Sequence, residues 1–462
     1  MTDIVFVSKL AEAAVYDQVS EHFSANNIWH PNHHGFRANH STASAISQMY
    51  DFWIRGAEKT ELSAALLLDL SAAFDVVDHF ILLEKLKLYF SPKTISWFKS
   101  YLENRKQVVV VESMSSDPKE VGEQGVPQGS LLGPILFIIF YNDFPDVRDD
   151  GSSVLYADDD TDNVSDSNPD VLEQKIQHKA NKSTSWVHDN KLVCSGAKTK
   201  LLVIGTKELC KSKLINNNKV FQINVAVHAV TESTSERLLG VIINNTLTWE
   251  HHLYGNEEHR GLIPKLSQRA GIIRKLSFIM PREKLKTIAE GIFFSLLNYC
   301  IDCFGNVWGL DSYDEENRQS TAFWKEDNRK LQVLMNKVLR SLTGLEYETP
   351  VTVLLESSGQ LSVHQRSALF TLTSVHKTLH SKNPVYSHSV LKLPPEFVQN
   401  PRHPSNCNRV EYKHSLSRGG YFYRGSKLFN QIPTSLANIE KHTVFKKSAR
   451  KWIQENIPPL PP

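Results

Sequence analysis

The segment SVLYADDDTDNV, residues 153–164, carries three consecutive aspartates between two stretches of strand-forming residues. This pattern predicts a strand, an acidic turn and a second strand. A further aspartate, Asp69, ends the continuous apolar run AALLLDL at 64–70, whose length suits a strand buried on both faces. Asp69, Asp158 and Asp159 are therefore expected where strands give way to turns.

Aspartates in such positions are suited to holding divalent metal ions. Mg²⁺ prefers hard carboxylate oxygens and is usually held by one or two protein carboxylates together with substrate phosphates. Two such ions about 4 Å apart would activate a 3′-hydroxyl and neutralise a departing pyrophosphate during nucleotide addition. For Asp158, Asp159 and Asp160 taken alone, a solvated acidic turn is the alternative interpretation.

The composition is that of an ordinary globular protein, with 41% hydrophobic and 22% charged residues in 462, and the length allows one large multi-lobed protein or two to three domains. No secretory or targeting signal and no apolar run of about 18 residues is recognised, so a membrane span is not expected. The five cysteines are scattered, which fits a reducing compartment, and the lone pair Cys300 and Cys303 is interpreted as two core residues rather than a zinc site. We expect an intracellular protein, in the nucleus or in a cytoplasmic ribonucleoprotein.

The remaining periodicity predicts an α/β region followed by long amphipathic helices. Ser130 is a candidate cap for the apolar helix that follows it. Further strands are predicted at 108–112, 200–206 and 237–243. Helices are predicted at 4–24, 79–90, 94–104, 170–189, 262–279, 282–300, 328–343 and 361–380.

Five segments resemble, in chain order, motifs A to E of the reverse transcriptases of LINE-type, jockey-like non-LTR retrotransposons. They are LLLDLSAAFDVVDH (66–79), QGVPQGSLLGPILFIIFYND (124–143), LYADD (155–159), NKLVCSGAKTKLLVIGT (190–206) and ERLLGVIINNTLTW (236–249). HHGFRANHSTASAI (33–46) resembles the fingers motif that precedes motif A, and this assignment accounts for His33 and His34 better than metal ligation does.

The resemblance implies a metal site at Asp69, Asp158 and Asp159 that binds two Mg²⁺ ions, with Mn²⁺ as an alternative ion. It implies that Phe74 is the steric gate, whose ring would exclude a ribose 2′-hydroxyl; an ordinary core phenylalanine is the alternative. Lys198 corresponds to a candidate proton donor to pyrophosphate, and its alternative is a solvated surface lysine.

Five further residues are assigned by resemblance. Gln128 and Gly129 correspond to a contact with the incoming nucleotide, or else to a Pro-Gly turn with an exposed glutamine. Arg37 corresponds to a fingers arginine that contacts phosphate, or else to a plain surface arginine. Leu239 and Gly240 correspond to the primer grip, and a strand-core role is compatible with it.

The carboxy-terminal segment is basic, with ten Lys or Arg against two Glu between residues 403 and 451. Lys446, Lys447, Arg450 and Lys451 are candidate nucleic-acid contacts, and five aromatic residues interleaved between 412 and 429 are candidates for stacking on unpaired bases. The alternative is a solvated helical face with a small aromatic core.

The resemblance implies a right-hand polymerase fold: an α/β palm with partial fingers, followed by an α-helical thumb and a carboxy-terminal extension. We assign residues 1–60 to partial fingers, 61–250 to the palm, 251–392 to the helical thumb and connection, and 393–462 to the basic carboxy-terminal segment. The expected partners are an RNA template, a DNA primer and dNTPs.

The sequence also departs from the family pattern. Relatives have an endonuclease and basic fingers strands upstream, and we interpret this chain as amino-terminally truncated. Asp160 stands where relatives usually have Thr or Ser, and 256–266 is shortened. A decayed element remnant that at most binds nucleic acid is therefore an alternative to an active RNA-directed DNA polymerase. An RNA-dependent RNA polymerase is disfavoured by Phe74 and by YADD in place of GDD.

Overall fold

A computed structural model gives the fold. It describes residues 6–112, 114–148, 153–305, 318–392, 407–408, 410–412 and 420–459. These residues form two compact units, the first within 1–40, 64–203 and 218–232, and the second within 41–63, 204–217 and 233–462.

Twelve strands are present in the described residues. In chain order they are β1 (Leu62–Leu68), β2 (Lys106–Gln107), β3 (Val110–Val111), β4 (Met114–Ser115), β5 (Lys119–Glu120), β6 (Val154–Tyr156), β7 (Asp159–Asp166), β8 (Lys200–Ile204), β9 (Gln222–Val225), β10 (His228–Ser233), β11 (Ser235–Leu238) and β12 (Val241–Asn244). Six of them form one sheet in the order β6-β7-β1-β8-β10-β9. The two strands that carry or precede the candidate aspartates, β7 and β1, are therefore neighbours.

The apolar character of β1 explains its central position. Leu62, Ala64, Ala65 and Leu66 are fully buried, as expected for a strand covered on both faces. β6 and β7 form an antiparallel hairpin in which Tyr156 pairs with Asp159. Strand β6 lies at the edge of the sheet.

The described residues of the first unit also contain five α-helices, of which Pro169–Asp189 packs against β7 and β9. They are Phe6–Ala25, His79–Leu86, Pro92–Leu102, Leu132–Phe140 and Pro169–Asp189. The helix Leu132–Phe140 consists of apolar residues and is buried almost throughout. Ser130 Oγ accepts a hydrogen bond of 2.7 Å from the backbone nitrogen of Gly133. The N-cap residue is Leu131, so Ser130 supports the first turn from one position before the cap.

The second unit consists mainly of helices and contains the antiparallel hairpin β11–β12. The helices are Thr42–Glu58, Lys207–Lys213, Glu250–Tyr254, Leu262–Leu276, Arg282–Ala289, Ser295–Asn298, Ile301–Phe304, Arg318–Thr343, Val351–Ser358, Val363–Ser381, Val385–Leu391, Tyr421–Phe429, Thr434–Ala437 and His442–Asn456. Within the described residues, no helix has the length and apolar character that crossing a bilayer requires.

Three predicted elements differ from those observed. The single strand expected at 237–243 is a hairpin, because the backbone reverses at Leu239 and Gly240, where φ is +45° and +84°. The strand expected at 108–112 is reduced to the two-residue β3. The helix expected at 282–300 is interrupted by a π-helical turn at Glu290–Phe294.

Cys300 and Cys303 are both buried and form no disulfide, as expected for core residues.

Candidate active site

The turn between β6 and β7 presents Asp158 and Asp159. Because Tyr156 pairs with Asp159, only Ala157 and Asp158 form the turn. Ala157 has φ +60°, in the left-handed region that favours glycine. Such a conformation costs on the order of 1 kcal/mol and is often found at functional sites. The tight turn places two adjacent carboxylates at one end of the hairpin.

Asp69, the residue after β1, is held by the segment that follows the helix Pro169–Asp189. The backbone nitrogen of Ser195 donates to the carbonyl oxygen of Asp69 at 2.8 Å, and the nitrogen of Asp69 donates to Thr199 Oγ1 at 3.3 Å. This pairing brings Lys198 to the site, with its Nζ 3.8 Å from Asp69 Oδ1. Lys198 itself is largely exposed.

The carboxylate of Asp69 lies close enough to Asp158 and Asp159 to affect their ionisation. Burial, and then the charges of Asp158 and Asp69, raises the pKa of Asp159 to about 6. Burial and the charge of Asp69 also raise the pKa of Asp158. Oδ1 of Asp69 is shielded from solvent and accepts no hydrogen bond. The site therefore concentrates negative charge, which a bound cation would stabilise.

The donor set fits a hard divalent cation whose coordination is completed by a substrate. No three Asp, Glu, His or Cys side chains in the described residues are arranged to enclose an ion by themselves. Mg²⁺ commonly binds through one or two carboxylates and takes its other ligands from water and substrate phosphates. Asp69, Asp158 and Asp159 supply such carboxylates, and the buried Oδ1 of Asp69 accepts no hydrogen bond, so this group of side chains matches that mode of binding.

An upstream segment supports the hairpin along its outer edge. The backbone nitrogen of Leu155 donates to the oxygen of Asn32 at 3.0 Å, and the nitrogen of His34 donates to the oxygen of Leu155 at 2.7 Å. Gly35 follows directly, and a Cβ on this residue would overlap the backbone nitrogen of Ala157. The backbone of the acidic turn and the backbone of Gly35 can approach this closely only because residue 35 has no side chain.

Arg37 stabilises the same upstream segment. One of its terminal nitrogens donates to the carbonyl oxygens of His30 at 2.7 Å and of His33 at 2.8 Å, and the guanidinium lies 5.8 Å from the ring centre of Trp29. Burial lowers the pKa of Arg37 to about 10. The alternative interpretation of Arg37 as a plain surface arginine is therefore wrong. Its contact with a phosphate stays a prediction.

Phe74 is half-buried and fixed by other aromatic rings. It stacks on Phe137 with ring centres 4.2 Å apart and planes inclined by 19°, and Phe36 meets it edge-on at 6.3 Å. A ring held in this way is suited to a steric gate, but the same packing also serves the core.

Gln128 is exposed on the loop before the helix Leu132–Phe140, and its Nε2 donates to Asp75 Oδ1 at 2.8 Å. The neighbouring Gly129 has φ +80°, a conformation that favours glycine. The exposed amide is available to a ligand, while Asp75 fixes its orientation.

The candidate primer-grip residues belong to the second unit. Leu239 and Gly240 form the turn of the β11–β12 hairpin, and Tyr299 Oη donates to the carbonyl oxygen of Leu239 at 2.5 Å. Their role as a primer grip stays a prediction.

Two parts of the expected basic carboxy-terminal surface are corrected. Four of the five aromatic residues are only 1–8% exposed, so they form a core and are not available to stack on bases: Tyr412, Tyr421, Phe422 and Phe429. Arg424, counted among the ten basic residues, is buried and donates to the carbonyl oxygens of Asp302, Cys303 and Gly305. Arg409, Lys413 and Arg418 lie outside the described residues, as does the Pro-rich stretch LPPEFVQNPRHPSN at 393–406, for which the sequence predicts a linker.

The four named candidates of this segment lie on the helix His442–Asn456. Lys446 and Lys447 are exposed. Arg450 donates to the oxygen of Gly359 at 2.6 Å, and Lys451 Nζ lies 3.8 Å from Glu455 Oε1. Lys446 and Lys447 are therefore the better placed pair for a contact with phosphates.

Sequence reasoning missed three residues that build the site: Gly35, Asp75 and Thr199. Each acts through a partner distant in the chain, so local patterning gives no sign of it. The one available signal was the glycine within the His-His-Gly segment, since a glycine in a polar turn often marks a close backbone approach.

Comparison with known proteins places the chain in a family. Residues 4–243 match the family described as reverse transcriptase (RNA-dependent DNA polymerase). Over 322 residues the chain is 27% identical to the RNA-directed DNA polymerase from mobile element jockey of Drosophila funebris, an alignment that covers 67% of this chain and 31% of that protein. Over 392 residues it is 24% identical to the probable RNA-directed DNA polymerase from transposon BS of Drosophila melanogaster, covering 83% of this chain and 40% of that protein.

A third relative is the probable RNA-directed DNA polymerase from transposon X-element of Drosophila melanogaster, 26% identical over 347 residues, or 74% of this chain and 35% of that protein. The chain thus spans roughly a third of the length of the curated relatives that it matches. The family match covers more than half of this chain and includes all three aspartates of the candidate site. The chain belongs to the reverse transcriptase (RNA-dependent DNA polymerase) family and is homologous to the polymerases of jockey and other Drosophila non-LTR retrotransposons.

Proposed function

We propose that this chain is an RNA-directed DNA polymerase of a non-LTR retrotransposon, which extends the 3′-end of a DNA primer with dNTPs on an RNA template. The observation that carries the proposal is the meeting of Asp69, Asp158 and Asp159 at adjacent strand ends, where burial and neighbouring carboxylate charge raise the pKa of Asp158 and of Asp159. Such a cluster is costly unless a cation binds it.

Asp69, Asp158 and Asp159 are the proposed metal ligands. The chemistry that two Mg²⁺ ions, or Mn²⁺, supply when bound here is activation of the primer 3′-hydroxyl and neutralisation of charge on the triphosphate. The protein itself holds the carboxylates in a fixed turn. Ala157 forms that turn, and the upstream segment at 32–35 pairs with the strand that leads into it.

Lys198 is the proposed proton donor to the departing pyrophosphate. Its ammonium group lies near Asp69 and is exposed, so it can reach a ligand bound at the carboxylates. Protonation of the leaving group lowers the barrier to its departure.

Two further residues select and orient the nucleotide. Phe74, held against Phe137, excludes a 2′-hydroxyl through the position of its ring. Gln128, oriented by Asp75, contacts the incoming nucleotide where Gly129 permits close backbone approach. Arg37 is retained as a phosphate contact through the guanidinium nitrogens that do not bond the backbone.

The test is primer extension by the purified chain on an RNA template, with Mg²⁺ and dNTPs. We expect extension that requires both the metal and the template. The rate for Asp158→Asn should fall by about 100-fold or more, because a lost metal carboxylate forfeits several kcal/mol of transition-state stabilisation. Asp117→Asn is the matched control, because Asp117 is an exposed aspartate of the same unit outside the site.

A folded wild-type chain that binds primer–template but never extends it would favour the alternative that the chain is a decayed, catalytically inactive remnant. Extension by Asp158→Asn at the wild-type rate would refute the metal-site assignment.

A further inference from the structure

A short loop in the second unit closes tightly between the helices Glu250–Tyr254 and Leu262–Leu276. Gly255 has φ +96° and pairs with Arg260 across the loop. Asn256 Oδ1 accepts hydrogen bonds from the backbone nitrogens of Glu258 at 3.1 Å and His259 at 2.6 Å. These hydrogen bonds fix the position of His259 and Arg260.

The loop forms one wall of a cavity of about 270 Å³. The opposite walls come from β11 and β12, through Arg237 and Ile242, from the helix Leu262–Leu276, through Lys265, and from Tyr299, which directly follows the helix Ser295–Asn298. The volume is slightly below the range of roughly 300–1,000 Å³ that is usual for small-molecule sites. It is therefore suited to a small group rather than to a large ligand.

Basic side chains dominate the lining. Arg237, Arg260 and Lys265 all line the cavity, against one carboxylate, Glu258. In the part of the chain that the structure describes, no carboxylate forms an ion pair with Arg237 or Lys265. Burial lowers the pKa of Lys265, and the positive charges of Arg237, Arg269 and Arg260 lower it further. Three basic side chains thus share the cavity with a single carboxylate, and Arg260 also donates to Gln268 Oε1 at 2.8 Å and to the carbonyl oxygen of Pro264 at 3.2 Å.

His252 adds a polar group that lacks a partner. The side chain lines the cavity and is only 7% exposed. The backbone nitrogen of Ile242 donates to its Nδ1 at 3.4 Å, so the neutral ring carries its hydrogen on Nε2. That nitrogen is buried and has no acceptor. A buried donor without a partner in the protein is available to a water molecule or to a bound group.

We propose that this cavity binds a phosphate group, with Arg237, Arg260 and Lys265 supplying the charge and His252 an additional hydrogen-bond donor. Guanidinium groups present paired N–H donors that match phosphate oxygens, and charge-assisted bonds of this kind are stronger than neutral ones. A carboxylate ligand would offer fewer acceptors to the same set of donors.

Two sources could supply the phosphate: a free phosphate compound or the backbone of a bound nucleic acid. The nucleic-acid source rests on the proposed function, since the cavity also includes Gly240 of the candidate primer grip. Binding of a free phosphate does not depend on catalysis and can be measured separately.

The first experiment titrates inorganic phosphate into the full chain by calorimetry in a buffer that contains a chelator, so that no metal recruits phosphate to the aspartates. We expect saturable binding that is about tenfold weaker in the double variant Arg237→Gln/Lys265→Gln, a change equivalent to about 1.4 kcal/mol. Lys284→Gln is the matched control, because Lys284 is an exposed lysine on the helix Arg282–Ala289 and does not line the cavity. Asp158→Asn should bind phosphate as the wild type does.

The second experiment measures the affinity of the same proteins for a fluorescent primer–template duplex at several salt concentrations. If the phosphate belongs to nucleic acid, the double variant should lose about 0.9 in the slope of log affinity against log salt for each contact removed. An unchanged slope, with weakened inorganic phosphate binding, would identify a free phosphate compound as the ligand.

Inorganic phosphate binding that is absent in the wild type, or equal in wild type and double variant, would overturn the proposal. The single variant Arg237→Gln provides a second reading if the double variant does not fold, since Arg237 is exposed at its position on β11. Failure of primer extension alone would refute the proposed function and leave the phosphate result standing.

Discussion

Replacing Gly35 by alanine should displace the turn that carries Asp158. The new Cβ would overlap the backbone nitrogen of Ala157 and would lie 3.0 Å from the carbonyl carbon of Tyr156, whereas ordinary Cβ contacts begin at 3.4 Å. The two backbones must therefore separate by roughly an ångström to relieve the overlap. A misplacement of about 1 Å can lower a rate about 100-fold, since the reacting groups lose their alignment.

We therefore expect kcat for primer extension to fall about 100-fold in Gly35→Ala, with a loss of about 1–3 kcal/mol in the free energy of unfolding from overpacking. The measurement is single-turnover extension at saturating dNTP, with chemical denaturation of the same preparation. Gly122→Ala is the control, because a Cβ on Gly122 would have nothing within 4 Å. A Gly35→Ala protein with the wild-type kcat would show that this contact does not position the aspartates.

The other predictions concern selectivity, pH and nucleic-acid binding. Phe74→Val removes the ring that stacks on Phe137, and discrimination against ribonucleotides should fall by about 1–3 kcal/mol in competition assays with dNTP and rNTP; unchanged selectivity would assign Phe74 to the core alone. Because the pKa of Asp159 is about 6, a metal ion must displace a proton below that pH, so the apparent Mg²⁺ affinity should fall by up to about tenfold per pH unit from pH 6 to pH 5. An Mg²⁺ titration midpoint that stays constant between pH 6 and pH 5 would contradict the assignment of Asp159 as a metal ligand. Without metal, the folded state binds this proton at a higher pH than the unfolded state does, so the free energy of unfolding should rise as pH falls from about 6 to about 4. Lys446→Gln/Lys447→Gln should reduce the salt slope of single-stranded RNA binding by about 0.7 for each lost contact, and an identical slope would mean that this helix face is only solvated.

Local pattern was sufficient wherever an element's own residues determine its structure. The apolar run that ends at Asp69 predicted a buried strand because its burial is continuous, and β1 is one. The acidic turn was predicted because Asp158 and Asp159 interrupt two strand-forming stretches. The helix at 170–189 was predicted from its periodicity, and it spans Pro169–Asp189.

Local pattern was insufficient where a distant partner decides the outcome. RLLGVII has the composition of one strand, and only the positive φ angles at Leu239 and Gly240 divide it into two. Aromatic residues among basic ones suggested stacking on bases, but Tyr421 and Phe422 are buried in the second unit. The contact of Gly35 with Ala157 depends on a pairing between segments that are far apart in the chain, which no local window can contain.

The pairing of Asn32 and His34 with Leu155 also has a consequence for how the newly made chain avoids association. β6 is the edge strand of the sheet, and the upstream segment occupies its outer side. The β6–β7 hairpin can form from neighbouring residues, but its cover must be brought in across a long loop, which costs entropy and time. Until that closure an unpaired strand edge remains open, and such an edge pairs readily with other chains. Weakening the cover at 32–35 would therefore reduce the yield of soluble protein as well as its catalysis, by lengthening the period during which this edge is exposed.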